Sequence, residues 1–204
     1  MSKKIYLFSL VLLALVFVSC GETKEVGRYD NWESRNNSFL DSLENVYATA
    51  PDHGGLNRLE LIAAPGNYIY YKVKAGEAYD KNKEVPRPKY TDYTKVHYKG
   101  TNILGEQFDG TFTGKDPVEG GNNTGEGDST PAILHLGSMV KGWTEAVQCM
   151  TKDDRWVIYI PWEYGYGSSD YSPYGSSVTI IGYSNLIFDI TLLNFAVNEA
   201  DLKK

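Results

Sequence analysis

The chain has 204 residues, with 26 acidic and 20 basic side chains and a formal net charge of −6 at neutral pH. This acidity argues against a nucleic-acid partner and against attachment to anionic lipid by charge, because both depend on clustered cations. The length is sufficient for one folded domain with an extension.

The first residues have the layout of an export signal. Two lysines precede an apolar run over residues 5–18, which is shorter than the roughly 20 residues that span a membrane. The run leads into Val-Ser-Cys-Gly at residues 18–21, which resembles a bacterial lipobox, in which the cysteine is lipidated and becomes the new N-terminus. A plain secreted protein and an uncleaved anchor are the alternatives.

This pattern predicts a signal peptide over residues 1–19, a lipid on Cys20 and a polar tether over residues 20–28. The protein is then expected in the bacterial cell envelope, held by its lipid on the periplasmic side or at the cell surface. With Cys20 acylated, Cys149 is the remaining cysteine, and a single cysteine cannot form an intramolecular disulfide. Cys149 is therefore predicted to be a buried structural thiol.

A helix is predicted from Asp30 to Ala48, because apolar residues recur there at helical spacing. Residues 29–66 are interpreted as a helical N-terminal extension, within which residues 56–64 are ambiguous between a short helix and a strand. The aromatic face of residues 30–48 predicts packing against the following domain or contact between two copies in a homodimer. The apolar residues at helical spacing are Trp32, Phe39, Leu43, Val46 and Tyr47.

After residue 66 the pattern changes to strands rich in β-branched and aromatic residues. One helix is predicted among them, from Gly142 to Met150, with an apolar face that includes Trp143 and Val147. The expected fold class is α+β, with the helix covering one face of an antiparallel sheet. The predicted strands are residues 67–74, 94–100, 132–137, 155–160 and 185–195.

Two long loops interrupt this domain. Residues 113–130 are rich in glycine, asparagine and acidic residues and are predicted to be a solvated insertion. Residues 167–179 contain Tyr171 and Tyr174, and exposed tyrosines on a loop indicate binding. The acidic residues 116–128 lack the spacing of an EF-hand, and the three histidines lack metal-ligand spacing, so neither a metal nor a cofactor is predicted.

Five short motifs occur in a fixed order along the chain, and together they resemble the FKBP-type peptidyl-prolyl isomerase family over residues 67–195. The resemblance implies a twisted antiparallel sheet wrapped around one short helix, with an aromatic pocket between them. Residues 67–204 are accordingly interpreted as an FKBP-like isomerase domain. The motifs are V-H-Y-x-G at 96–100, F-D at 108–109, V-x-G-W-x-E-A-V-x-x-M at 140–150, I-P-x-x-x-x-Y-G at 160–167 and L-I-F-D-I-x-L-L at 186–193.

The resemblance also implies roles for individual residues. Trp143 is expected at the floor of the pocket, and the family's tyrosine at the position of Tyr166 donates a hydrogen bond to a substrate carbonyl. The backbone N–H of Val140 is expected to bind the ligand, while Asp109 is expected to hold the hydroxyl of Tyr98 without transferring protons. The remaining wall and rim positions are Phe108, Met139, Ile180 and Phe188.

The function implied by the resemblance is cofactor-free cis–trans isomerisation of Xaa–Pro bonds, which assists the folding of exported proteins. The expected partners are proline-containing polypeptides and FK506-like macrolides. Uncatalysed exchange takes roughly tens to hundreds of seconds, and it needs no proton or nucleophile. A water-poor aromatic pocket is able to accelerate it by favouring the twisted amide over the planar one.

The chain departs from the family pattern at four places, and three of them, Ala132 and the two long loops, favour an alternative function. Ala132 stands where the family commonly has an aromatic wall residue, and the insertion at 113–130 enters beside that wall. Ile181 and Gly182 stand where a proline-containing pair is familiar, and the loop at 167–179 is longer than in the minimal domain. The alternative is a non-catalytic binding or chaperone lipoprotein of the same fold that acts through its long loops.

Overall fold

Seven antiparallel strands form one sheet within residues 27–116, 130–172 and 178–203, the part of the chain that the computed structural model describes. The strands are β1 (Asn57–Glu60), β2 (Tyr68–Ala75), β3 (Tyr93–Thr101), β4 (Gln107–Gly110), β5 (Ala132–His135), β6 (Arg155–Ile160) and β7 (Leu186–Ala196). The strand order is β1-β2-β6-β7-β3-β4. One edge of β3 pairs with β5 along its first half and with β4 along its second half.

The core lies between one face of this sheet and a short helix, α2 (Lys141–Val147). Strand β6 shows why the sheet has one buried face, because Trp156, Ile158 and Ile160 are fully buried while the residues between them are not. The helix contacts this face closely at Gly142, where an added Cβ would lie 2.3 Å from Cγ2 of Ile160. The predicted apolar face of the helix is confirmed, since Trp143, Ala146 and Val147 are fully buried. The helix ends at Val147, three residues before its predicted end, and Met150 is fully buried beyond it.

A longer helix, α1 (Trp32–Thr49), packs on the opposite face of the sheet. The ring of Phe39 lies 6.0 Å from that of Tyr159, and the ring of Tyr47 lies 5.7 Å from that of Tyr70. Tyr70 and Tyr159 alternate with residues of the core face, so they point to the other side of their strands. The predicted helix is therefore confirmed, and part of its aromatic face contacts this chain's own sheet.

The interpretation of residues 29–66 as helical requires a correction in its second half. Helix α1 ends at Thr49, and Asp52, His53 and Gly54 then have positive φ values, which end a right-handed helix. Residues 57–60 form β1, which pairs antiparallel with β2. Leu59 and the residue two positions on, Leu61, are both buried in the core. Of the ambiguous residues 56–64, residues 57–60 therefore form a strand of the sheet.

The other predicted strands occur within a few residues of their expected bounds, whereas β4 was not predicted as a strand. Cys149 is half-buried instead of buried. Burial still raises the pKa of its thiol to about 11, so the thiol is protonated at neutral pH.

Several predictions concern residues outside the described part of the chain. They include the signal peptide over residues 1–19, the lipid on Cys20, the tether up to residue 26, most of the insertion at 113–130, and Tyr174. Among the residues that are described, no helix combines the length and apolar character needed to cross a membrane.

Candidate functional site

Four aromatic rings from four different elements meet at the first turn of α2. Trp143 is fully buried, and its ring lies 5.3 Å from that of Tyr98 on β3 and 4.8 Å from that of Phe188 on β7. The ring of Phe108 on β4 lies 5.5 Å from that of Phe188. These three pairs are edge-to-face, an arrangement that aromatic quadrupoles favour. The result is a rigid aromatic cluster with Trp143 at its base.

The position of this cluster depends on Gly100. A Cβ at this residue would lie 2.5 Å from Cε1 of Phe188 and 2.6 Å from Cε2 of Phe108. A glycine on β3 therefore allows two rings from neighbouring strands to contact the backbone directly. Gly100 belongs to the V-H-Y-x-G motif at residues 96–100, which by itself indicates no such role for the glycine.

Asp109 is exposed at the edge of the cluster, and both of its carboxylate oxygens accept hydrogen bonds. The hydroxyl of Tyr98 donates to Oδ2 at 2.9 Å, and the N–H of Gly110 donates to Oδ1 at 2.8 Å. Burial raises the pKa of Tyr98 far above its ordinary value, and the Asp109 carboxylate raises it further. The Tyr98 phenol is therefore neutral, and its hydrogen bond to Asp109 fixes the orientation of the ring.

Tyr166 lies half-buried beside this cluster and stacks on Tyr171, with ring centroids 4.1 Å apart and planes inclined by 10°. Two backbone hydrogen bonds between Tyr171 and Ile180, of 2.9 and 2.8 Å, hold the stacking partner in place. Among the described residues, nothing forms a hydrogen bond with the hydroxyl of Tyr166. Burial raises its pKa to about 12, with smaller contributions from Tyr171 and Asp109.

The raised pKa of Tyr166 predicts how activity depends on pH. Because the folded-state pKa of about 12 exceeds the ordinary value of 10.0, the neutral hydroxyl stabilises the fold fully below pH 10 and loses this effect as pH rises through 12. Because the Tyr166 hydroxyl stays neutral over this range, kcat/KM is expected to be constant from about pH 6 to 9. Circular dichroism at each pH checks that the protein remains folded. A bell-shaped profile centred near neutrality would contradict a site without proton transfer.

The segment before α2 forms the rim of the site. Met139 and Val140 are half-buried and pack against the core, and the hydroxyl of Thr144 donates to the carbonyl of Leu136 at 2.9 Å, which holds the turn. Within the described residues, the N–H of Val140 donates to no carbonyl. Two donors, this N–H and the Tyr166 hydroxyl, therefore remain available beside the aromatic cluster.

The indole of Trp143 carries a third donor. Its Nε1 is buried and has no hydrogen-bond partner in the described part of the chain. Buried polar groups are nearly always hydrogen-bonded in folded proteins. An unpaired donor at the base of the cluster lowers the stability of the fold, which favours a role for Trp143 in binding over a purely structural one.

The structure brings the predicted site residues together. Five of the nine are buried in one hydrophobic cluster, namely Tyr98, Phe108, Trp143, Ile180 and Phe188. Met139, Val140 and Tyr166 pack against it, and Asp109 is joined to it through Tyr98. Their roles in binding or catalysis stay predictions.

The departures from the family pattern also have positions in the structure. Ala132 begins β5, opposite Val96 on β3, and is half-buried against the core. Gly182 allows a close backbone approach, because a Cβ there would lie 2.3 Å from the carbonyl oxygen of Ser168. Residues 117–129 and 173–177, which complete the two long loops, lie outside the described residues.

Comparison with known proteins identifies the family of the chain. The sequence model of the family described as FKBP-type peptidyl-prolyl cis-trans isomerase matches residues 85–193. The chain is 25% identical over 189 residues to the macrophage infectivity potentiator of Trypanosoma cruzi, a match that covers 90% of this chain and 80% of the relative. It is 33% identical over 156 residues to a probable FKBP-type isomerase of Haemophilus influenzae, covering 74% of this chain and 54% of that protein.

A solved structure shows the same fold. The peptidyl-prolyl cis-trans isomerase of Pseudomonas syringae superposes with a TM-score of 0.54 at 20% identity, covering 83% of this chain and 97% of the other. The matched family model accounts for more than half of the chain. The protein therefore belongs to the FKBP-type peptidyl-prolyl cis-trans isomerase family and is an isomerase of that type.

Proposed function

We propose that the aromatic cluster around Trp143 is the isomerase pocket, and that it binds the proline ring of an Xaa–Pro segment against the indole. The observation that carries this proposal is the convergence of Tyr98, Phe108, Trp143 and Phe188 from four elements in edge-to-face contact. A flat, apolar pyrrolidine is complementary to such rings, and FK506-like macrolides are expected to compete for the same surface.

The pocket accelerates exchange by stabilising the twisted amide more than the planar one. Rotation about a peptide bond has a barrier of about 18–20 kcal/mol, because twisting breaks the resonance that makes the planar amide polar. A water-poor site disfavours the polar planar form. In this proposal the hydroxyl of Tyr166 and the N–H of Val140 donate to carbonyls on either side of the proline. Each tenfold acceleration needs about 1.4 kcal/mol of preferential binding, which a few oriented contacts can provide.

Catalysed exchange of a short Xaa–Pro peptide by the purified protein tests the enzymatic proposal. We expect the exchange rate to rise in proportion to the protein concentration and to fall when a macrolide of the FK506 type is added. A folded sample that leaves the rate at its background value would favour the non-catalytic alternative. In that case, shortening of the insertion at 113–130 should disturb partner binding where pocket substitutions do not.

We also propose that the protein is exported, lipidated on Cys20 and acts on exported polypeptides as they fold. The support is the run of residues 5–18 followed by Val-Ser-Cys-Gly at residues 18–21. In bacterial cells grown with labelled fatty acid, the wild-type chain is expected to carry the label and to sediment with membranes. Cys20→Ala is expected to abolish both, and an unlabelled wild-type chain would contradict the proposal.

A further inference from the structure

The first two turns of α1 are joined to the core of the isomerase domain by a buried pair of asparagines. Asn36 on α1 is fully buried, and Asn185, just before β7, is 1% exposed. The N–H of Asn185 donates to Oδ1 of Asn36 at 2.8 Å, and Nδ2 of Asn185 donates to the carbonyl of Asn36 at 2.7 Å. Nδ2 of Asn36 donates to the carbonyl of Trp32 at 2.9 Å, so both amides are oriented by several bonds.

Asn185 extends this network to the segment that carries Tyr166. Its Oδ1 accepts the N–H of Trp162 at 3.0 Å. The carbonyl of Trp162 then accepts the N–H of Gly165 at 3.1 Å and that of Gly167 at 2.9 Å. These two N–H groups lie on either side of Tyr166, so Trp162 fixes the backbone around Tyr166. Trp162 is itself held by Asn185, and Asn185 is held by Asn36.

Two further bonds run between the same elements. The indole N–H of Trp32 donates to the hydroxyl of Ser184 at 2.9 Å, and that hydroxyl donates to the carbonyl of Ile181 at 2.6 Å. The indole N–H of Trp162 donates to Oδ1 of Asn37 at 3.1 Å. Helix α1 therefore contacts the segments on both sides of the Tyr166–Ile180 region, and not the outer face of the sheet alone.

We propose that Asn36 is a positioning residue of the isomerase site, which acts through Asn185 and Trp162 to hold Tyr166 where its hydroxyl meets the substrate carbonyl. This inference rests on the proposed function, in which Tyr166 contacts the substrate. Helix α1 lies outside residues 85–193, the range that the family model matches. In this chain the N-terminal extension thus takes part in positioning the catalytic site of the domain that follows it.

A double-mutant cycle on the full-length chain tests this inference, with kcat/KM for a short Xaa–Pro peptide as the readout. Tyr166→Phe removes one hydrogen-bond donor and is expected to lower kcat/KM about two- to tenfold. Asn36→Ala is expected to cause a similar loss in protein that is still folded. The kcat/KM of the double variant should lie within about twofold of that of the less active single variant, because the effects of substitutions in one hydrogen-bond network are not additive.

Asn45→Ala is the matched control, since Asn45 is exposed on the same helix and makes no side-chain bond among the described residues. It should leave kcat/KM unchanged alone and in the Tyr166→Phe background. If Asn36→Ala does not fold, the same cycle is measured with Asn37→Ala, which removes the exposed acceptor of the Trp162 indole.

Losses that multiply in the double variant would overturn the inference, because a merely structural role lowers stability without coupling to Tyr166. An unchanged kcat/KM for Asn36→Ala would overturn it as well. Neither result affects the proposed function, provided that Tyr166→Phe alone is impaired. Unimpaired Tyr166→Phe would instead remove the assigned role of Tyr166, and this inference with it.

Discussion

Trp143→Leu is expected to lower kcat/KM about 10- to 100-fold, because it removes two edge-to-face ring pairs worth about 0.5–1.5 kcal/mol each and the surface proposed to bind the proline ring. Trp143 is fully buried and contacts Tyr98 and Phe188. The cavity left by the indole is also expected to lower the free energy of unfolding by about 2–4 kcal/mol. Peptide exchange and denaturant unfolding, measured on the same sample, separate the two effects.

Trp156→Leu is the matched control for this prediction. Trp156 is also fully buried, but it stacks on Tyr71 at 4.2 Å and donates its indole N–H to the carbonyl of Glu77 at 3.0 Å. The Trp156→Leu variant should show a similar decrease in the free energy of unfolding, and while folded it should keep nearly the wild-type kcat/KM. If both substitutions reduced turnover equally, Trp143 would be a packing residue and nothing more.

Gly100→Ala is expected to have the second-largest effect, although it removes no group from the site. The new methyl would overlap the rings of Phe108 and Phe188, at 2.6 and 2.5 Å, so both rings have to move. Overpacking of this kind costs about 1–3 kcal/mol of stability, and the displaced rings should lower kcat/KM about tenfold, which corresponds to 1.4 kcal/mol of lost transition-state binding. The exchange assay and thermal unfolding measure the two losses.

Gly137→Ala provides the comparison, because its Cβ would also meet an aromatic ring, Cε1 of Tyr90 at 2.8 Å. Tyr90 is 58% exposed and its ring can move into solvent, so turnover should stay at the wild-type value. A Gly100→Ala protein as active as this control would show that the Phe108 and Phe188 rings do not contact the substrate.

Much of the fold was predictable because its signals are local. Helix α1 and the face of α2 follow from helical spacing, and β6 follows from its run of β-branched and aromatic residues. The family and the α+β class follow from five motifs in order and are confirmed by the matched family model and the solved fold. The Tyr98–Asp109 hydrogen bond agrees with the expectation drawn from the resemblance.

The features that were missed depend on contacts between distant parts of the chain. Strand β4 has four residues, too few for a periodic signal, and it exists because β3 offers a partner edge. Asn36 and Asn185 are 149 residues apart, and an asparagine in a helix carries no local sign that it will be buried. Gly100 likewise shows its role only when two rings from other strands occupy the space beside it.

The most direct test of the pocket is an NMR experiment on an Xaa–Pro peptide mixed with the protein. We expect cis–trans exchange that accelerates with protein concentration, together with magnetisation transfer from the proline ring protons to the indole of Trp143 and the ring of Phe188. Accelerated exchange with proline contacts confined to residues elsewhere on the protein would contradict the account.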